Sequence, residues 1–174
     1  REPVYARMKR DLLRIAENDH RGAPVCHPDD LTNQLRDLFA TQPLAVLSTD
    51  SDSRPYASLV AFASSSDLRR LFFATTRDTR KYANIRSNSR VALLVDNRTN
   101  RVDDFTSAVA VTVLGDSREL TGEARADAEG LYLGKHPHLR EFVSSPSCAL
   151  VGVAVSSLYL VSRFQNVTEF HFQP

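Results

Sequence analysis

Residues 71–88 read LFFATTRDTRKYANIRSN, and their pattern changes halfway along. Leu71 to Thr75 is an apolar strand whose end carries two hydroxyls, Thr75 and Thr76. A short polar turn, Arg77 and Asp78, leads into a helix for which Thr79 is the natural N-cap. Arg80 and Lys81 fall in the first turn of that helix, where a cation opposes the helix dipole, so bare stability does not select them. A bound anion reverses the balance. The unpaired N–H groups of the first turn, a guanidinium fork and an ammonium all suit one phosphate. The plain alternative is a surface helix that opens with solvated charges.

Working outward, the strand period dominates. Arg90 to Val95 (RVALLV) is the next strand, and Ser107 to Gly115 the one after, with Val109, Val111 and Val113 on one face and Ala108, Ala110 and Thr112 on the other. Upstream, Pro43 to Thr49 is a short buried run, Asp50 to Arg54 a turn rich in Asp and Ser, and Pro55 to Ser64 the second arm of a hairpin. A helical stretch from Arg125 to about Ser144 is broken near Pro137. Three strands close the sequence: Cys148 to Val155, Leu158 to Arg163, and Thr168 to Phe172. Two helical patterns open it, through Val4, Met8, Leu12 and Ile15, then through Leu31, Leu35, Leu38 and Phe39. Asp29 and Asp30 stand at the N-cap of the second, and Glu17 to Pro28 reads as the connecting loop. Six or more strands joined by short hairpins predict a closed or nearly closed antiparallel barrel with peripheral helices, a mainly β fold without βαβ units.

Composition narrows the function. The 174 residues fit one domain, 1–174, in which 1–42 is an N-terminal helical segment packing on the barrel. A net charge of +1 without a dense basic patch argues against nucleic acid as partner. The longest apolar run, Cys148 to Val155, spans eight residues against the roughly 20 of a membrane helix, so no membrane partner is expected. Six glycines form neither G-x-G-x-x-G nor G-x-x-x-x-G-K. Cys26 and Cys148 form no C-x-x-C, and a reducing cytoplasm suits them. No tripartite leader opens the sequence, and Arg1 in place of Met leaves room for a segment in front. Among 22 basic residues only three are lysines, Lys9, Lys81 and Lys135, which draws attention to each.

The ordered set PLAVLSTD, SRPYASLVAF, LFFATTRDTRK, NSRVALLV and AVAVTVLGDSREL resembles the pyridoxamine 5'-phosphate oxidase-related family of FMN-binding split barrels, over roughly Leu38 to Phe172. The resemblance implies an antiparallel split β-barrel of Greek-key type, a homodimer, and FMN between the subunits. It implies that Ser58, Leu59 and Val60 lie along the flavin, that Ala74 and Thr75 stand near the ribityl chain and phosphate, and that Arg80 and Lys81 bind the phosphate. Thr76 and Thr79 join this set from the placement of their hydroxyls. An aromatic residue that reaches across the interface in the family falls at Val161 here, and strand alternation then points Arg163 and Gln165 toward the flavin.

The departures are specific. The oxidase's second-strand lysine corresponds to Ala63, its Tyr-Arg-Ser substrate set to Tyr132, His136 and Arg140, and its C-terminal Arg-x-His region to Val167, Thr168 and Glu169. A relative of the oxidase is expected, not the oxidase. No side chain stands out as general acid or base, so no catalytic residue is assigned. His136 and His138 form an H-x-H, with His20, His27 and His171 scattered, and nothing in their spacing marks a metal or haem site. Cys26 beside His27 is not expected to act as a nucleophile pair, since adjacent residues in a proline-flanked loop rarely align that way, and Cys148 opens an apolar strand as a core residue. The expected function is an FMN-dependent oxidoreductase acting on a small-molecule substrate or electron donor. Haem handling, a deazaflavin cofactor and a flavin-binding module without turnover stay open.

Overall fold

The computed structural model describes residues 28–162 and 166–172. In chain order the elements are α1 (Pro28–Thr41), β1 (Leu44–Ser51), β2 (Arg54–Ser64), β3 (Arg70–Thr76), α2 (Arg80–Ser87), β4 (Arg90–Asp96), α3 (Asp104–Ser107), β5 (Val109–Glu119), α4 (Gly122–Lys135), a 3₁₀ turn (Pro137–Leu139), α5 (Arg140–Ser144), β6 (Cys148–Ser162) and β7 (Asn166–His171). The strand order is β3-β2-β1-β4-β5-β6-β7, and a further β3–β6 pairing closes the first six into a barrel. Every ladder is antiparallel. The segment β3-β2-β1-β4 has Greek-key order, as expected.

Closure depends on the length of β6. Its first half pairs with β3, from Thr76↔Cys148 to Arg70↔Ala154, while its second half pairs with β7 along the same edge. The sequence pattern had suggested two strands here, because Ser156 and Ser157 interrupt the apolar run. In the structure they are one strand with a bulge. The β5 register jumps from Leu114↔Ser157 to Gly115↔Val155, leaving Ser156 as the extra residue. Gly115 permits this close approach, since a Cβ there would lie 2.3 Å from the Ala154 carbonyl oxygen.

Other boundaries also shift. Helix α1 starts at Pro28, so Asp29 and Asp30 lie in its first turn rather than at its cap. The β1–β2 connection is a two-residue turn at Asp52 and Ser53, both at positive φ (54° and 59°), which matches the right-handed twist of its strands. Helix α4 starts at Gly122, three residues ahead of the expected Arg125, and α3 was not foreseen. The first helical pattern, the loop after it, and Cys26, His20 and His27 lie outside the described residues.

The alternation of β1, β2, β4 and β5 sends one face of each strand inward, where Leu47, Phe62, Leu93 and Val113 are almost fully buried. Burying side chains of this size is worth about 1.5–3 kcal/mol each. Helices stopper the two ends. At the end near Pro43 and Phe62, α1 inserts Leu35, Leu38 and Phe39, with the Phe39 and Phe62 rings edge to face at 5.8 Å. At the other end α2 contributes Ile85, and the buried Asn84 donates to the Thr49 hydroxyl at 3.0 Å. A second apolar cluster lies outside the barrel, where Ala128, Tyr132 and Leu133 of α4 and Val143 of α5 cover Ala63, Phe72 and Leu150. Cys148 is buried, as a core residue should be.

Candidate functional site

The ladder between β2 and β3 runs only from Ser64↔Leu71 to Phe62↔Phe73. Beyond Phe62 and Phe73 the two strands part. Ser58–Val60 on one side and Ala74–Thr76 on the other therefore flank an opening, with β2 still held by β1 and β3 by β6. Helix α2 begins at the foot of this opening. Arg80 lies over the Tyr56 ring, its guanidinium carbon 5.5 Å from the centroid, so the first turn of α2 reaches the rim of β2.

The loop between β3 and α2 is held by its hydroxyls. Thr79 is the N-cap, as expected, and donates its hydroxyl to the Thr76 carbonyl at 2.9 Å. Its oxygen stands 3.0 Å from that of the buried Thr75 and accepts a long 3.4 Å contact from the Tyr82 N–H. The first turn of α2 holds no acidic residue. Among the described residues Arg80 and Lys81 make no ion pair. Two uncompensated cations therefore sit at the positive end of a helix, an arrangement that favours an anion.

The expected β2 residues divide by strand alternation. Val60 is buried inside the barrel, Leu59 points outward at 66% exposure, and the Ser58 hydroxyl oxygen is closed off from solvent without a hydrogen-bond partner. Leaving a buried hydroxyl unpaired costs roughly 1–3 kcal/mol, and Ser58, opposite Leu47 and two residues from Val60, carries that cost on the inward face of β2. Ala74 packs partly on the outer cluster. Arg163 and Gln165 lie outside the described residues. Thr75, Thr76, Thr79, Arg80 and Lys81 thus gather at one loop and helix end, with Ser58 on the facing strand.

Sequence reasoning missed the frame of this loop. Arg77 bonds and ion-pairs with Glu119 at the end of β5, and the Tyr82 hydroxyl donates to the other carboxylate oxygen of Glu119 at 2.5 Å. The Arg77 side chain also donates to the Pro146 carbonyl at 2.6 Å, and its main-chain N–H to the Ser147 carbonyl at 3.0 Å. Burial pushes the Glu119 carboxyl up, but the bonds from Tyr82 and Arg77 outweigh it and hold it below its ordinary range. The side-chain bonds among these partners span 37 to 69 residues of sequence, and no local pattern announces them.

The residues matching the oxidase's substrate set are arranged differently. Tyr132 is 1% exposed, and burial pushes its phenol up to about 12. His136 does not lie at the surface either. It is buried, bonded through Nε2 to the Phe62 carbonyl at 2.8 Å, and burial lowers its pKa. Arg140 is exposed at the start of α5. Two buried groups and one exposed arginine do not form a clamp for a soluble phosphate.

Two other features lie apart from the opening. A cavity of about 570 Å³ between α1 and the β4–β5 connection is lined by Asp30, Asp37, Gln42 and Asn97, and its carboxylates disfavour an anion. On the outer sheet face Ser157 stands 3.0 Å from His171, whose other nitrogen is 3.3 Å from Glu169. This chain is exposed on the sheet, outside any cleft that would orient a substrate.

The family model described as pyridoxamine 5'-phosphate oxidase matches residues 31–161, from α1 to the end of β6. No curated protein matches the chain. Among solved structures, the haem-binding protein of Mycobacterium smegmatis aligns at a TM-score of 0.72 and 14% identity, over 80% of this chain and 57% of that one. The chain thus spans little more than half the length of that protein. General stress protein 26 of Bacillus anthracis aligns at 0.62 and 18% identity, over 82% of this chain and 98% of that one. A FAD-binding protein of Mesorhizobium loti aligns at 0.57 and 14% identity, over 81% and 94%. At these identities the structures share a fold. The family model carries the membership: the chain belongs to the pyridoxamine 5'-phosphate oxidase family, as a relative of the oxidase rather than the oxidase itself.

Proposed function

We propose that the chain binds FMN as a homodimer and passes electrons or hydride through the flavin between a reduced nicotinamide or similar donor and a small acceptor. The observation that carries this reading is the parting of β2 and β3 above the cationic first turn of α2. Arg80 offers a bidentate fork to the FMN phosphate, Lys81 a point charge, and the first N–H groups of α2 complete the cradle. The edge of β2 that β3 leaves free beyond Phe62 borders the place where a flavin ring would lie, and offers it the main chain of Ser58 to Val60. When bound, FMN supplies the redox chemistry at its N5, while the protein contributes position, electrostatics and restricted access.

A flavin in this opening needs a second wall. Across the ladders, Leu59, Val46, Leu94, Thr112 and Tyr159 stand directly opposite one another on five adjoining strands. Their outward face is at least partly open to solvent, and Leu44 beside it is 49% exposed. Covering such a stripe with a second copy gains about 25 cal/mol per Å² of apolar area. Leu59 is the outward residue of the β2 stretch, Ser58 to Val60, whose main chain would run along the flavin, so the same copy would close the flavin site.

Haem is the second reading, supported by the likeness to the M. smegmatis haem-binding protein. The test is titration of the purified protein with FMN, riboflavin and haemin, with sedimentation at each point. Tight FMN binding to a dimer, FMN preferred over riboflavin, is expected. A Soret band on haemin addition with no flavin binding would transfer the proposal to haem, and a monomer that binds FMN tightly would remove the second wall.

A further inference from the structure

One carboxylate frames the cationic turn from both sides. Arg77 precedes Arg80 and Lys81, Tyr82 follows them, and both bond to Glu119, which β5 supplies from 42 and 37 residues away. Arg77 is further tied to the loop before β6, through its side chain to Pro146 and its main chain to Ser147. The turn is therefore fastened to β5, to the β6 approach and, through Asn84 and Thr49, to β1.

We propose that Glu119 is a positioning residue of the anion site: by gripping Arg77 and Tyr82 it presets the turn so that Arg80 and Lys81 meet a phosphate without rearrangement. The inference rests on the flavin-phosphate reading above and deepens it. Preorganised donors bind an anion more tightly because less freedom is lost on binding. Releasing Arg77 from Glu119 does not hand a third cation to the phosphate, because its Pro146 and Ser147 anchors still draw it toward β6. Weaker phosphate binding is therefore the expected sign of the effect.

Glu119→Gln keeps an acceptor for Tyr82 and removes the charge that holds Arg77, whereas Glu119→Ala removes both bonds. FMN affinity should fall about 3-fold in Glu119→Gln and about 10-fold in Glu119→Ala, with riboflavin affinity unchanged in both, a split that general loosening of the fold does not produce. Arg77→Ala, which leaves the Tyr82 bond to Glu119 in place, should resemble Glu119→Gln, and adding Arg77→Ala to Glu119→Ala should lose little more, because the two residues act as one unit. Hydrogen exchange in the flavin-free protein should quicken at the amides of residues 77–82 in Glu119→Ala. FMN affinity that stays level or rises in both Glu119 variants overturns the proposal, as does exchange at 77–82 that does not change. Wild-type protein that binds no FMN removes the flavin reading instead, and the exchange measurement then decides by itself whether Glu119 presets the turn.

Discussion

The hydroxyl oxygens of Thr75 and Thr79 lie 3.0 Å apart, joining the last buried residue of β3 to the N-cap of α2. Strand and helix are thereby coupled at the point where the anion site begins. The 2.9 Å bond from Thr79 to the Thr76 carbonyl tightens the same turn. Thr79→Ala removes these bonds and the cap together. It should destabilise the protein by about 1 kcal/mol in urea unfolding, and Thr79→Ser should restore most of that loss. A Thr79→Ala protein as stable as wild type would mean that the cap carries no weight.

Arg80 and Lys81 make a sharper prediction. Arg80→Ala should weaken FMN binding by about 1.5–3 kcal/mol, the usual worth of a hydrogen bond to a charged group. Lys81→Ala should weaken it as well, with less geometric selectivity. Riboflavin, which lacks the phosphate, should bind all three proteins alike. Calorimetry that finds FMN affinity intact in Arg80→Ala would take the phosphate away from this helix.

The parts of this site that were legible are local ones. Thr79, Arg80 and Lys81 announce themselves because a capping residue followed by two unfavourable cations needs a cause within one turn. The barrel was legible because alternation such as Val109, Val111 and Val113 survives as an inward face. What escaped depends on partners distant in sequence. The continuity of β6 through Ser156 is set by Gly115 on the neighbouring strand, which admits the bulge. Glu119 looks like any polar strand end until folding brings Arg77 and Tyr82 to it. His136 resembles a loop histidine in a polar stretch, yet the 3₁₀ turn after it and the Phe62 carbonyl draw it inside.

The arrangement around Tyr132 bears on substrate. With Tyr132 and His136 buried and Ala63 under α4, the groups that would clamp a pyridoxamine phosphate are absent from the surface. Lost positioning energy lowers turnover as well as affinity. The protein should therefore oxidise pyridoxamine 5'-phosphate far below the roughly 1 per second at the low end of ordinary enzymes. An oxidase assay on FMN-saturated protein checks this, and turnover in the ordinary range would show that another set of residues recognises that substrate.

Lys135 gives the fold a pH dependence of definite sign. From the last residue of α4 its ammonium donates to the carbonyls of Phe39 at 2.6 Å and Gln42 at 2.7 Å, and it lies 3.9 Å from the centre of the Phe62 ring. It thus fastens the C-terminal end of α1 to α4, the end where a helix welcomes a cation. Lys135→Met keeps most of the stem but leaves these carbonyls without their donor. The loss should be about 1.5–3 kcal/mol at pH 7. Burial nonetheless lowers the Lys135 pKa from 10.5 to about 8, so between these values the unfolded chain binds more protons than the native one. Stability linked to this group must then rise with pH across that window and be lost as pH falls through about 8. Tyr132, pushed up to about 12, acts in the opposite sense above pH 10, but it is present in both proteins and cancels in their difference. The unfolding free energy of wild type minus that of Lys135→Met should therefore grow from pH 8 to pH 10. A difference that shrinks over this interval would mean that the two carbonyls and the Phe62 ring favour the cation more than its burial opposes it.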